Sequence, residues 1–160
     1  MAYTTVDDPS LYHQTLLYTG DGNDDRNLVN TGNSDLQPDW IWIKDRDNAR
    51  SHEIYDSSRG ATKRIQSDST GAESTQANNL QAFQSDGFQI GSGNGVNQAS
   101  QTLVAWQWKA NGGTTTSFSA SGAQLAGTRQ SNTTAGFSII TYTGDGNNNA
   151  TIPHGLNSAP

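Results

Sequence analysis

Apolar positions along this chain come in short runs that alternate with polar ones, and the runs are rich in β-branched and aromatic residues. Bounded by Gly, Asn, Asp and Pro, such runs read as strands. The pattern predicts strands over Thr15–Tyr18, Asp39–Lys44, His52–Tyr55, Leu80–Phe83, Phe88–Ile90, Thr102–Lys109 and Phe137–Tyr142. Asp86-Gly87, between two of them, reads as a tight hairpin turn, because glycine supplies the positive φ such turns need. No 3.6-residue apolar period persists long enough for a substantial helix. Ser69–Asn79 fits a short helical turn or an exposed loop. The expected fold is an all-β, antiparallel β-sandwich.

Two strands alternate in a telling way. Period-2 geometry sends Trp40 and Trp42 to one face of their strand and Ile41 and Ile43 to the other. Val104, Trp106 and Trp108 likewise share a face, with Leu103 and Ala105 opposite.

An internal repeat organises the chain. Tyr18-Thr19-Gly20-Asp21-Gly22-Asn23 recurs letter for letter as Tyr142-Thr143-Gly144-Asp145-Gly146-Asn147. Upstream, Thr15-Leu16-Leu17 faces Ile139-Ile140-Thr141; downstream, Leu28-Val29-Asn30 faces Ile152-Pro153-His154, and both arms reach a proline, Pro38 and Pro160. Residues 111–135 are rich in Gly, Ser and Thr with little to bury, which fits an inter-module linker or a segment that orders only against a neighbour. The expected organisation is an N-terminal arm (1–11), a sandwich module (12–110), this linker, and the start of a second, truncated copy (136–160). On that expectation the chain is the N-terminal part of a longer protein.

Composition narrows the class. Of 160 residues, 31% are hydrophobic and only 15% charged, so neutral polar residues dominate, as suits a thin core under a polar skin. Cysteine is absent, which excludes disulfides and thiolate metal sites. The net charge of −6 opposes a nucleic-acid partner. Arg59–Arg64 is the one basic cluster, and it reads as loop decoration. No apolar run approaches the ~20 residues of a membrane-spanning helix, so no membrane insertion is expected. The start, Met1-Ala2-Tyr3-Thr4-Thr5, lacks the basic and apolar regions of a secretory signal.

Four segments in fixed order carry a family resemblance. They are Leu36-Gln37-Pro38-Asp39-Trp40-Ile41-Trp42-Ile43-Lys44, Tyr55-Asp56-Ser57-Ser58-Arg59-Gly60-Ala61, Phe83-Gln84-Ser85-Asp86-Gly87-Phe88 and Val104-Ala105-Trp106-Gln107-Trp108-Lys109, preceded by Tyr18-Thr19-Gly20-Asp21-Gly22. The series resembles a repeat module of virion proteins from marine cyanophages and related phages. That module is a concanavalin A-like, laminin-G-type jelly roll strung in tandem along tail and fibre proteins. The resemblance covers roughly residues 12–110 and again 136–160. It implies a virion surface component made in a bacterial cytoplasm, present in many copies or as a homo-oligomer, with other virion proteins and host-surface glycans as partners. A decoration or connector protein of capsid or tail, binding no glycan, is the alternative. Fold alone does not decide between them.

Three groups of residues are candidates for chemistry. Trp40 and Trp42, with Trp106 and Trp108, either form an aromatic platform on which sugar rings stack or fill the core, the ordinary role of large aromatics in a thin sandwich. Asp21, Asn23 and Asp25 present oxygens at alternate positions and are the set to test for calcium; no other cofactor is expected. The repeat loop offers Asp145, Asn147 and Asn149. No EF-hand Glu follows, and Asx-rich loops are commonly plain turns. Catalysis finds little support. The three histidines, His13, His52 and His154, show no ligand spacing, and no nucleophile elbow or phosphate loop is present. His52 and Glu53 form the least implausible acid–base pair, and alternation predicts that one faces the core and the other solvent. No enzyme is expected.

Overall fold

The computed structural model describes residues 6–158. Its main body pairs two antiparallel sheets. One holds β1 (His13–Thr19), β9 (Thr102–Trp108), β3 (Trp40–Asp45) and β4 (Glu53–Asp56), side by side in that order. The other holds β2 (Arg26–Leu28), β8 (Gly87–Ile90) and β7 (Leu80–Gln84). The inward residues of the first sheet (Leu16, Ile41, Ile43, Tyr55, Leu103 and Ala105) meet Leu28, Leu80, Phe88 and Ile90 of the second in one buried cluster. Val96, from the single-turn helix α1 (Asn94–Asn97), closes its end. The chain is therefore all-β, with its antiparallel sheets in a sandwich-like arrangement.

All seven expected strands are present, with ends displaced by at most a few residues. The β7–β8 turn falls where Asp86-Gly87 predicts it: Gln84 pairs with Gly87, whose φ is +96°. Any Cβ there would also collide with the Leu28 carbonyl oxygen, so glycine is required twice over. Residues 69–79 hold β6 (Ser74–Thr75), paired with β5 (Lys63–Arg64), rather than a helical turn.

Residues 111–135 contain β10 (Thr116–Phe118) and the whole of β11 (Gly127–Asn132), which join β12 (Phe137–Tyr142) in a three-stranded antiparallel sheet. Main-chain pairing and polar anchoring hold this region, with Leu125 and Ile139 as its buried apolar residues. Gln130, only 1% exposed, donates from Nε2 to the hydroxyls of Ser57 (2.8 Å) and Ser58 (2.7 Å). Its Oε1 accepts from the Asn111 and Gly113 amides at 3.2 and 3.1 Å. Beside it, the buried Asp39 carboxylate accepts from the amides of Ala110, Gly112 and Gly113 at 2.7–2.9 Å and from the Ser57 hydroxyl at 2.6 Å. Gly112 and Gly113 both take positive φ, which turns this chain reversal onto the carboxylate.

Candidate functional site: an aromatic face on the four-stranded sheet

Alternation along β3 and β9, combined with their antiparallel register, stacks all four tryptophans on the face turned away from the core. Trp40 lies opposite Trp108, and Trp42 opposite Trp106. The rows extend across the sheet as His13–Trp108–Trp40–Asp56 and Thr15–Trp106–Trp42–Ile54. A third row, Leu17–Val104–Lys44, continues the face, and Leu17 is 63% exposed. The four indoles are half-buried, not core residues.

The rings meet edge to face, the arrangement their quadrupoles favour. Centroids are 4.8 Å apart for Trp40–Trp108, 5.6 Å for Trp42–Trp106 and 5.8 Å for Trp40–Trp42. A histidine closes each end of this ladder. The His13 ring packs on Trp108 at 4.7 Å, and burial there holds its pKa below the ordinary imidazole value. At the other end, the Trp42 indole N–H donates to Nδ1 of His52 at 2.8 Å, which fixes the indole's tilt.

The two halves of the ladder differ in cover. Phe137, the first residue of β12, stacks on Trp108 at 6.2 Å with planes 23° apart and lies 6.5 Å from Trp40. Trp40 and Trp108 are thus roofed by the three-stranded sheet. No ring contact of Trp42 or Trp106 involves that sheet, so of the two expected residues Trp42 has the freer ring. No enclosed pocket is found among the described residues, and a ligand here would meet a face.

The Asx-rich loop makes bonds internal to the protein. Asp21 Oδ1 accepts from the Asn23 amide at 2.9 Å, an Asx turn, and from Nδ2 of Asn97 at 3.0 Å. Arg26 Nε lies 3.5 Å from Oδ2. The Asn23 amide first, and Asn97 and Arg26 with it, hold the Asp21 carboxyl below its ordinary pKa. The Asn23 carbonyl accepts from Asn97 Nδ2 at 2.8 Å, and Asp25 adopts φ +55° with its carbonyl bonded to Gln89 Nε2 at 3.4 Å. Among the described residues no three His, Cys, Asp or Glu side chains gather as a metal site. In the repeat loop, Asp145 accepts from both nitrogens of Asn147 at 3.0 Å.

His52 and Glu53 point to opposite sides of the sheet. Glu53 is buried in a network that sequence reasoning missed. Tyr55 donates its hydroxyl to Oε2 at 2.9 Å, while Gln66 Nε2 and Arg64 reach Oε1 at 3.2 and 3.3 Å. Asn79 Nδ2 donates to the Tyr55 oxygen at 2.9 Å. Burial, and then the Glu53 charge, push the Tyr55 pKa well up. Glu53 therefore works as an internal clamp.

A family model matches residues 8–160, and the chain belongs to that family, described as a domain of unknown function (DUF7483). No curated protein and no solved structure matches the chain.

Proposed function

We propose that this DUF7483 chain is a non-enzymatic structural protein of a bacteriophage virion, displayed on a tail or fibre as a concanavalin A-like jelly-roll module. In this reading the aromatic face contributes to attachment on host-surface glycans. The observation that carries it is the placement of Trp42 and Trp106 on the solvent side of β3 and β9. Sugar rings bind such faces through C–H contacts to indole, and Trp42 is held in one orientation by His52. Each contact would be weak, and many copies on one particle would multiply it. Family resemblance supports the virion placement. The buried carboxylates Glu53, Asp39 and Asp56 are committed to internal partners, which favours binding over catalysis.

A second reading, a capsid or tail connector that binds no glycan, is favoured by Phe137. That ring already uses half of the ladder for packing within the chain, and the remaining half would suit an aromatic or aliphatic side chain of a neighbouring virion protein in the same way.

The test is a glycan array probed with the wild-type chain and with Trp42→Ala, beside immunogold labelling of intact particles. Attachment predicts label on tail or fibres and at least about a tenfold loss of glycan signal in a folded Trp42→Ala variant. Label over the capsid with no glycan signal would favour the connector. Absence of label from particles would overturn the virion assignment.

A further inference from the structure

We infer that the open edge of β12 is a docking edge for an extended strand of the β9 type. The inference stands on the repeat and is independent of the aromatic face. β1 and β12 are the strands that run into the two copies of Tyr-Thr-Gly-Asp-Gly-Asn. Backbone groups of successive strand residues point to opposite edges. β1 turns its even-numbered residues to β9. The Gly20 amide donates to Gln101 O at 2.8 Å, and the Lys109 amide to Tyr12 O at 2.9 Å. β12 instead turns its odd-numbered residues to β11, beginning with the Thr143 amide on Ala126 O at 3.4 Å. Repeat counterparts keep their parity, His13 with Phe137 and Tyr18 with Tyr142. Hence β11 occupies the edge opposite to the one β9 takes in the first copy. Among the described residues β12 ends its sheet, and no strand lies beside the backbone groups of Ser138, Ile140 and Tyr142.

Side chains along that edge differ from their counterparts in the first copy. Tyr18 packs against the core and donates its hydroxyl to Val96 O at 2.7 Å, whereas its counterpart Tyr142 is 54% exposed. Gly20 must be glycine, because a Cβ would collide with the Gln98 carbonyl oxygen and the Ser100 amide bonds its own carbonyl at 2.9 Å. Its counterpart Gly144 meets nothing within 4 Å and has no left-handed φ. A glycine is thus retained where the described residues make no demand for one. The neighbouring layer is present in both copies. Gln14 accepts from the Gly32 amide at 2.9 Å, and its counterpart Ser138 donates to His154 O at 2.7 Å.

The first copy serves as template for the occupant. In β1, Tyr18 faces Leu103 and Leu16 faces Ala105. The strand added at β12 therefore presents small or aliphatic residues opposite Tyr142 and Ile140, and brings a carbonyl over Gly144. It would extend the β10–β11–β12 sheet by one strand, as β-augmentation does elsewhere.

The probe is a synthetic peptide of residues 96–109, added to the full chain and followed by amide hydrogen exchange. The expected result is at least about tenfold slower exchange at Ser138, Ile140 and Tyr142. Gly144→Val should fold with unchanged stability, since its side chain enters open space, and should abolish that slowing. Slowing at His13, Thr15 or Leu17 instead would overturn the inference, as would equal protection in Gly144→Val. Protection of the β12 amides at high protein concentration without peptide would give the edge to a second copy and overturn its assignment to a separate strand.

Discussion

The two faces of the sheet formed by β1, β9, β3 and β4 are built from the same strands and do opposite work. The inner face carries Leu16, Ile41, Ile43, Leu103 and Ala105, meshed with Phe88 and Ile90 and closed from water. The outer face carries all four tryptophans, half-buried, with the exposed Leu17 beside them. Residue size therefore does not decide what lies inside this protein. A gap between two small sheets is filled by aliphatic side chains that interdigitate in rotamer minima. Indoles packed edge to face cover much of one another, and Phe137 of the three-stranded sheet adds a ring over Trp40 and Trp108. The lesson is that an apolar surface feature can be a ladder that mostly shields itself while part of it stays available.

Truncation on the inner face should break the comparison most strongly. Ile43→Ala or Leu103→Ala, each fully buried, should lower unfolding free energy by about 2–5 kcal/mol in a denaturant titration, through lost transfer energy and the cavity left behind. Trp106→Ala on the outer face removes far more volume, yet should cost less than either. If the tryptophan variant proves the more damaging, the outer face is the true core of the sheet.

Next in size is the polar insertion at the end of the inner face. Tyr55→Phe keeps the ring and removes the hydroxyl that links Glu53 and Asn79. A buried carboxylate and a buried amide then each lose a partner, which should cost about 1–3 kcal/mol at neutral pH. Adding Glu53→Leu to Tyr55→Phe should recover part of that loss, because the charge left short of partners is then gone. An additive double mutant would show that the two groups do not act as a unit.

How much of this was legible in the sequence follows from what each feature rests on. Strands β3, β8, β9 and β12 announce themselves by alternation, and the split of Trp40 and Trp42 from Ile41 and Ile43 follows from period 2 alone. Which face would meet the second sheet did not follow. That depends on Phe88 and Ile90 arriving from far along the chain, and alternation is blind to it. Strands β2, β5, β6 and β10 are short, and β11, though six residues long, is as polar as they are, so no hydrophobic pattern marks any of them. The hubs at Asp39, Glu53 and Gln130 were equally silent, since their partners come from distant segments. Gly112-Gly113 was the one local sign of the Asp39 cradle, and in a Gly-rich stretch it looked like a linker. The Asp21 loop was visible as a cluster of oxygens, but its partner Asn97 lies in a helix of one turn that carries no sequence signal.

A smaller effect separates the rim of the inner face from its interior. Asp45 is buried at the end of β3. Burial raises its pKa, but bonds from the Asn48 side chain and the amides of Asp47 and Asn48, with Arg50 beside them, outweigh it and leave the carboxyl below the ordinary 3.8. A folded pKa below the unfolded one means that this contribution is complete above the ordinary value and is lost as pH falls through the folded one. Unfolding free energy measured from about pH 6 to about pH 2 should therefore fall less steeply in Asp45→Asn than in wild type. Parallel curves would remove Asp45 from the acid response.

The smallest expected effect sharpens the outer face itself. Trp42→Phe keeps an aromatic ring against Trp40 and Trp106 but deletes the N–H that bonds His52. Stability should drop by about 0.5–1.5 kcal/mol, the worth of one partly exposed hydrogen bond. If the ladder serves only as packing, that is the whole consequence. If Trp42 is a stacking surface for sugar, the bond to His52 matters beyond its energy, because it fixes the tilt at which the ring meets a ligand. Glycan binding should then weaken in Trp42→Phe by more than the stability change implies, and His52→Ala should weaken it similarly with the indole still in place. Equal glycan signals in wild type, Trp42→Phe and His52→Ala would reduce the ordered indole to a packing residue. The outer face would then differ from the inner one only in how much water reaches it.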